Sequence, residues 1–261
     1  MLSAALAAGC DNAIRPTGNP EPGATALVSK PTIVFDLDGT LADTARDLVA
    51  VLNRVIEPHG LLPVERANIG HVAGQGAKAM IERAFVLQDR SIDVETHNHL
   101  FDLFLADYGE TLADHTVLYP GALDCMEEFA RDGWLLTVCT NKMESMARKL
   151  LEVLEVSDRF AAISGGDTFE FRKPDPRHIE KTIEAAGGDP GHSVMIGDSI
   201  NDIAAAQAAG VVSVAVSFGY ADRPVEELAA DMVIHSFDEL RPAALHAMLD
   251  RRQFPIPERS R

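Results

Sequence analysis

Two aspartates, Asp36 and Asp38, stand two positions apart where the β-branched run Thr32-Ile33-Val34 gives way to Gly39-Thr40. Residues two apart on an extended segment share a side, so both carboxylates can face one small ligand. Two like charges held that close need a cation, a shared proton, or both. A solvated turn uses the same residue types, but it does not account for the unbroken apolar run that leads into Asp36.

Three further clusters have the same placement at the end of an apolar run. The run Ser193 to Ile196 ends in Gly197-Asp198-Ser199, where glycine releases the strand into a turn and Asp202 follows Asp198 by one helical turn. The run Leu135 to Cys139 ends in Thr140-Asn141-Lys142, a hydroxyl and an amide suited to phosphate oxygens, although such a pair also serves as a turn or helix cap. In Lys173-Pro174-Asp175-Pro176, Pro174 keeps the preceding chain extended and Pro176 can begin a helix, so Lys173 is presented from a stiff loop.

The elements that must position these groups alternate. Apolar runs at 135–139, 160–163, 193–196, 211–216 and 232–234 are interleaved with helical patterns near 121–132, 143–154, 176–187, 199–209 and 236–247. Such alternation predicts an α/β fold, a Rossmann-like parallel sheet covered by helices on both faces, with the first strand in the same sheet. Ligands of such sheets bind outside the carboxyl ends of the strands, where the clusters above fall. Between the first strand and the rest, only helical stripes occur: Leu48, Val51, Leu52, Val55 and Ile56, then Ala77, Met80, Ile81, Ala84 and Phe85, then Phe101, Phe104, Leu105 and Tyr108. The expected division is a core of 31–46 and 115–250, an all-helical cap at 47–114 over the sheet's edge, and a loose tail at 251–261.

In order and spacing, Asp36-Leu37-Asp38-Gly39-Thr40, Thr140-Asn141, Lys173-Pro174 and Gly197-Asp198-Ser199 through Asp202 resemble the four motifs of the haloacid dehalogenase-like hydrolase superfamily. The resemblance implies a phosphohydrolase dependent on Mg²⁺, with Asp36 as nucleophile and Asp38 as general acid and base. It implies that Thr140, Asn141 and Lys173 bind the phosphoryl group. It also implies that Asp36, the backbone carbonyl of Asp38 and Asp198 hold the metal, with Asp202 in support. Elementary chemistry agrees: a phosphate dianion repels an anionic nucleophile unless a metal and a lysine offset the charge, and Mg²⁺ favours carboxylate oxygen. Gly74-Gln75-Gly76-Ala77-Lys78 and the late Phe218-Gly219-Tyr220 look most like phosphoglycolate phosphatases, which implies 2-phosphoglycolate as substrate. Gly76 and Lys78 then become candidates for meeting a substrate carboxylate, against the plainer reading of a turn before a helix. Rival readings are a β-phosphoglucomutase-like transferase, a phosphatase for another small phosphate, and a phosphoacceptor switch protein.

Composition sets outer bounds. A net charge of −17 argues against nucleic acid and against anionic membranes as partners; the small phosphate ester that the resemblance implies would need a metal and one or two fixed cations to dominate locally. No apolar run approaches a membrane span, and three cysteines at no metal-like spacing fit a cytoplasmic protein, monomer or homodimer. Cys125 and Arg131 have the spacing of cysteine-dependent phosphatases but enclose two glutamates and no glycine cradle, so they read as a helix face. His97 and His99 are two apart on a helical pattern and point away from each other.

Residues 11–30 are rich in Pro, Gly and Asn without apolar periodicity, and 1–30 is expected to be a disordered extension; the apolar stretch Met1 to Cys10, ending Ala7-Ala8-Gly9-Cys10, is short and lacks the basic start of an export signal. A separate hypothesis places the natural start at Val28, with the stretch before it a misread extension. A chain lacking residues 1–27 should keep the thermal midpoint and activity of the full chain, and loss of either overturns that expectation.

Overall fold

The fold grows from the run Thr32–Phe35, which forms strand β1 and is buried on both faces. The computed structural model describes residues 29–220 and 223–253, and all their side chains except those of 69–71 and 253. The disorder expected of the N-terminal extension therefore lies outside the described residues up to residue 28; Ser29 is held there by its carbonyl, 2.9 Å from His192 Nδ1.

β1 is followed by β2 (Ala42–Asp43), α1 (Ala45–Ile56), α2 (Arg66–Ala73), α3 (Ala77–Val86), α4 (Val94–Glu110), β3 (Val117–Leu118) and α5 (Ala122–Arg131). Then come β4 (Leu135–Cys139), α6 (Glu144–Val153), β5 (Ala162–Ser164), α7 (Pro176–Ala185) and β6 (Ser193–Gly197). α8 (Ile200–Ala208), β7 (Val212–Val216), β8 (Met232–Ile234) and α9 (Pro242–Gln253) complete the order. The main sheet is parallel and runs β5-β4-β1-β6-β7-β8. Alternation along β1 divides the core: Val34 joins Ile179 and Ile183 of α7 and Ala205 and Ala206 of α8, whereas Ile33 and Phe35 join Met126 and Phe129 of α5 and Leu245 of α9. With β4 on one side and β6 on the other, β1 is where the strand order reverses, and its carboxyl end opens the crevice.

Helices α1 to α4 form an all-helical insert whose two connections pair as the antiparallel ribbon β2–β3, Ala42 opposite Leu118 and Asp43 opposite Val117. The insert thus stands over the ends of the central strands, not over an outer strand of the sheet, and α1 starts at Ala45, before residue 47. Three local expectations are corrected. α2 was not foreseen, because its eight residues have little apolar stripe. The helix expected at 236–247 is a 3-10 turn at Phe237–Glu239 and then α9, since the ring and missing N–H of Pro242 suit a first helical position but not an interior one. Residues 251–253 of the expected loose tail are the end of α9, where Arg252 lies 2.8 Å from both Gly210 O and Asp231 Oδ2. Among the described residues no helix is long and apolar enough to cross a membrane.

One buried carboxylate joins the insert's entry to its exit. Asp47, in the first turn of α1, accepts from His115 N at 3.0 Å, His115 Nδ1 at 2.8 Å and Thr116 Oγ1 at 2.7 Å. Burial alone would raise its pKa, but the hydrogen bonds from Thr116 and His115 outweigh it and leave the pKa lowered. A depressed folded-state pKa means stability that is present above the unfolded value of about 3.9 and lost as pH falls through the folded value. Asp47→Ala should therefore lower urea stability at neutral pH by about 1–3 kcal/mol, with the gap to the unaltered protein closing on acidification. A gap independent of pH would count against this account.

Candidate active site

Four chain segments converge at the carboxyl ends of β1, β4 and β6. Asp36 continues the β1 ladder, its N–H donating to Ile196 O at 2.9 Å, and the following loop closes through Ala42 N to Leu37 O at 3.0 Å. Thr140 follows β4, and its N–H donates to Ser164 O at 3.0 Å. Asn141 Nδ2 donates to Lys173 O at 3.0 Å, which couples the β4 end to the lysine loop. Pro176 opens α7 as its composition suggests, with the Asp175 side chain accepting from Arg177 N at 3.0 Å.

Lys173 is the hub. Its buried ammonium donates to Asp202 Oδ1 at 2.5 Å and Cys139 O at 2.6 Å, and it stands 3.0 Å from Asp36 Oδ1. The other oxygen of Asp202 accepts from Ser199 N at 3.0 Å and Ser199 Oγ at 2.6 Å, so Asp202 is committed on both sides. Asp198 accepts from Tyr220 N at 2.6 Å and Thr40 Oγ1 at 3.3 Å. Asp36 differs: its Oδ1 is buried and has no hydrogen-bond partner among the described residues. Asn141 Oδ1 is likewise buried and unpartnered.

The charges do not balance. Burial pushes Asp36 up to about 7, with Asp202 and Asp38 adding to the rise and Lys173 pulling against it. Burial and the neighbouring Asp202 and Asp36 raise Asp198 well above the usual carboxylate range. Burial would lower Lys173, but Asp202 and Asp36 outweigh it and leave its pKa raised. Asp36, Asp198 and Asp202 each bring one oxygen to within 4.8 Å of the others. Surplus buried negative charge, an orphaned oxygen and an all-oxygen donor set fit a hard divalent cation.

Asp36 and Asp38 also line a cavity of about 390 Å³ together with Thr140, Asn141, Lys142 and residues of the insert. Sequence reasoning gave Lys142 no role, yet its ammonium lies 3.0 Å and 3.2 Å from the two oxygens of Asp38 and 2.8 Å from Tyr108 Oη on α4. Burial would lower Lys142, but the Asp38 carboxylate and Tyr108 outweigh it and leave its pKa raised. Its position directly after Thr140-Asn141 was the available signal. Gly76, the N-cap of α3, and Lys78 line the same cavity, but the Lys78 ammonium is exposed, 2.9 Å from Asn98 Oδ1 and 4.9 Å from the centre of the Phe101 ring.

Residues 33–216 match the family described as haloacid dehalogenase-like hydrolase. The chain belongs to that family. It is 47% identical over 227 residues to a phosphoglycolate phosphatase of Agrobacterium fabrum, covering 87% of this chain and 97% of the relative. A phosphoglycolate phosphatase of Mesorhizobium japonicum is 47% identical over 213 residues, 82% of this chain and 94% of the relative. Among solved structures, one described as a predicted phosphoglycolate phosphatase from Haemophilus somnus superposes with a TM-score of 0.75 at 26% identity, covering 82% of this chain and 97% of that one.

Among the described residues, neither cysteine carries an activated thiol. Burial pushes the thiols of Cys125 and Cys139 up to about 12, so neither is a thiolate near neutrality. His97 Nε2 is 2.9 Å from Lys78 O, a bond within the insert. Asp198 sits between two glycines: a Cβ on Gly39 or Gly219 would overlap its side chain, and Gly39 has a φ of +83°. Gly39→Ala should lower stability by about 1–2 kcal/mol and activity by about tenfold or more through displacement of Asp198. Unchanged activity in the folded variant would show that this close approach is not needed.

Proposed function

We propose that this hydrolase is a Mg²⁺-dependent phosphatase that converts 2-phosphoglycolate to glycolate and phosphate through an aspartyl-phosphate on Asp36. The observation that carries the reading is the buried Oδ1 of Asp36, which meets the Lys173 ammonium at 3.0 Å, lies beside Asp198 and accepts no other hydrogen bond among the described residues. A carboxylate oxygen held by a single ion pair keeps a lone pair for attack, and the cation beside it offsets the charge of an arriving phosphate. The names of the relatives support the choice of substrate.

Asp36, the Asp38 carbonyl and Asp198 would hold Mg²⁺, with Asp202 supporting the site through Lys173 and Ser199. Bound there, the ion would supply neutralisation of phosphate charge and polarisation of the P–O bonds. Thr140 and Asn141 present a hydroxyl and an amide, and Lys173 an ammonium, to the non-bridging oxygens. Asp36 forms a bond to phosphorus as the ester P–O bond breaks, and Asp38 gives its proton to the leaving oxygen. Water then attacks the phosphorus of the acyl phosphate, Asp38 takes its proton, and Asp36 is regenerated. The helical insert acts as a cap that shapes the cavity around the leaving group.

Phosphate release from 2-phosphoglycolate should require Mg²⁺, cease with EDTA and fall by at least about 10³-fold in Asp36→Asn. A stable phosphoprotein without turnover would favour the switch reading, and full turnover by Asp36→Asn would exclude this mechanism.

A further inference from the structure

Lys142 closes the strand-end cluster after β4 but has no part in the proposed chemistry, yet its side chain is only 5% exposed and that of its partner Asp38 only 10%. An ammonium has three N–H groups. Here all three are engaged, with the two oxygens of Asp38 and the hydroxyl of Tyr108, whose ring centre lies 4.4 Å away. Lys142 therefore has no donor to spare. It can take a new anion only by releasing a present partner, and a buried ammonium left without any anion is strongly disfavoured.

Its position also assigns a side of the cavity. Lys173 serves Asp36 and Asp202, where the phosphoryl group would lie. Lys142 is bonded to the carboxylate that must reach the ester oxygen, so its charge stands on the leaving-group side. In 2-phosphoglycolate the carboxylate is attached to the carbon that bears the ester oxygen. A phosphate placed against Asp36 thus carries its second anion toward Lys142.

Resting on the phosphatase reading above, we propose that Lys142 recognises a carboxylate on the leaving group and takes it in exchange for Asp38, so that the freed Asp38 carboxylate takes up a proton from solvent and turns to the ester oxygen as its acid. One carboxylate replaces another, so the buried ammonium keeps a counter-anion throughout. Tyr108, which belongs to the insert, holds the ammonium while its anion changes. An ester without the second anion offers nothing in exchange and leaves Asp38 tethered. Discrimination then acts on the catalytic group itself as well as on binding.

The test compares 2-phosphoglycolate with 2-hydroxyethyl phosphate, which replaces the carboxylate by a neutral alcohol, in the full chain with Mg²⁺. The unaltered protein should favour 2-phosphoglycolate in kcat/KM. Lys142→Met should reduce that ratio by about tenfold or more, and Lys142→Arg, which keeps the charge, should retain more of it. Lys142→Gln keeps donors for Asp38 and Tyr108 without the charge, and covers the case in which the methionine variant does not fold. Disturbed folding or phosphate binding lowers both esters together, so a ratio within about twofold of the unaltered protein overturns the role of Lys142. So does loss of the ratio in Lys78→Met with its retention in Lys142→Gln. An unaltered protein that hydrolyses 2-hydroxyethyl phosphate and not 2-phosphoglycolate removes the substrate reading itself, a failure visible before any variant is made.

Discussion

The buried ammonium of Lys173 is the contact on which the arrangement depends. It joins Asp36 at the end of β1, Cys139 at the end of β4 and Asp202 in the first turn of α8, and so fixes three strand-end segments around one point. Removing such a charge would leave two buried carboxylates facing each other without compensation, which is far more costly than the pair is stabilising. Even with Lys173 in place, Asp36, Asp198 and Asp202 outnumber it. The donor set therefore suits an added positive charge.

Near that centre, the buried side-chain atoms without a hydrogen bond among the described residues include Asp36 Oδ1, Asn141 Oδ1 and His178 Nε2. Asp202 and Asp198 accept hydrogen bonds on both oxygens, whereas Asp36 Oδ1 has its ion-pair contact with Lys173 and Asn141 Oδ1 has no partner among the described residues. Tyr220 couples the centre to the insert: its N–H holds Asp198, and its hydroxyl donates to Asp43 and accepts from Ala45 N, at 2.8 Å each. Lys142 makes a second coupling, between Asp38 and Tyr108. A movement of the insert is thus felt at both the proposed metal-binding and the proposed proton-transfer carboxylates.

Much of this was legible because the signals are local. A buried parallel strand reads as a continuous apolar run, and the residue types just beyond it announce a turn, so Asp36, Asp38, Thr140, Lys173 and Asp198 could be placed without tertiary information. Helices with strong stripes, such as α1 and α5, were equally plain. α2 was missed because an eight-residue helix with few apolar positions has little periodicity to read. The restart of the last helix at Pro242 turned on a single backbone N–H, which apolar spacing does not report. Lys142 was in view but silent, since a lysine after a strand is ordinarily a solvated side chain.

The amino-acid sequence by itself determined the α/β layering, the four chemical clusters and their common position at strand ends, because strand, turn and helix-start preferences act over a few residues. Tertiary structure alone decided that β1 lies at the reversal of strand order, that Asp36 Oδ1 meets the Lys173 ammonium while both oxygens of Asp202 accept hydrogen bonds, and that Lys142 binds Asp38 across 104 positions of chain. Those outcomes depend on which distant groups share a buried volume, and burial is what turns a carboxylate or an ammonium into a group that must find a partner.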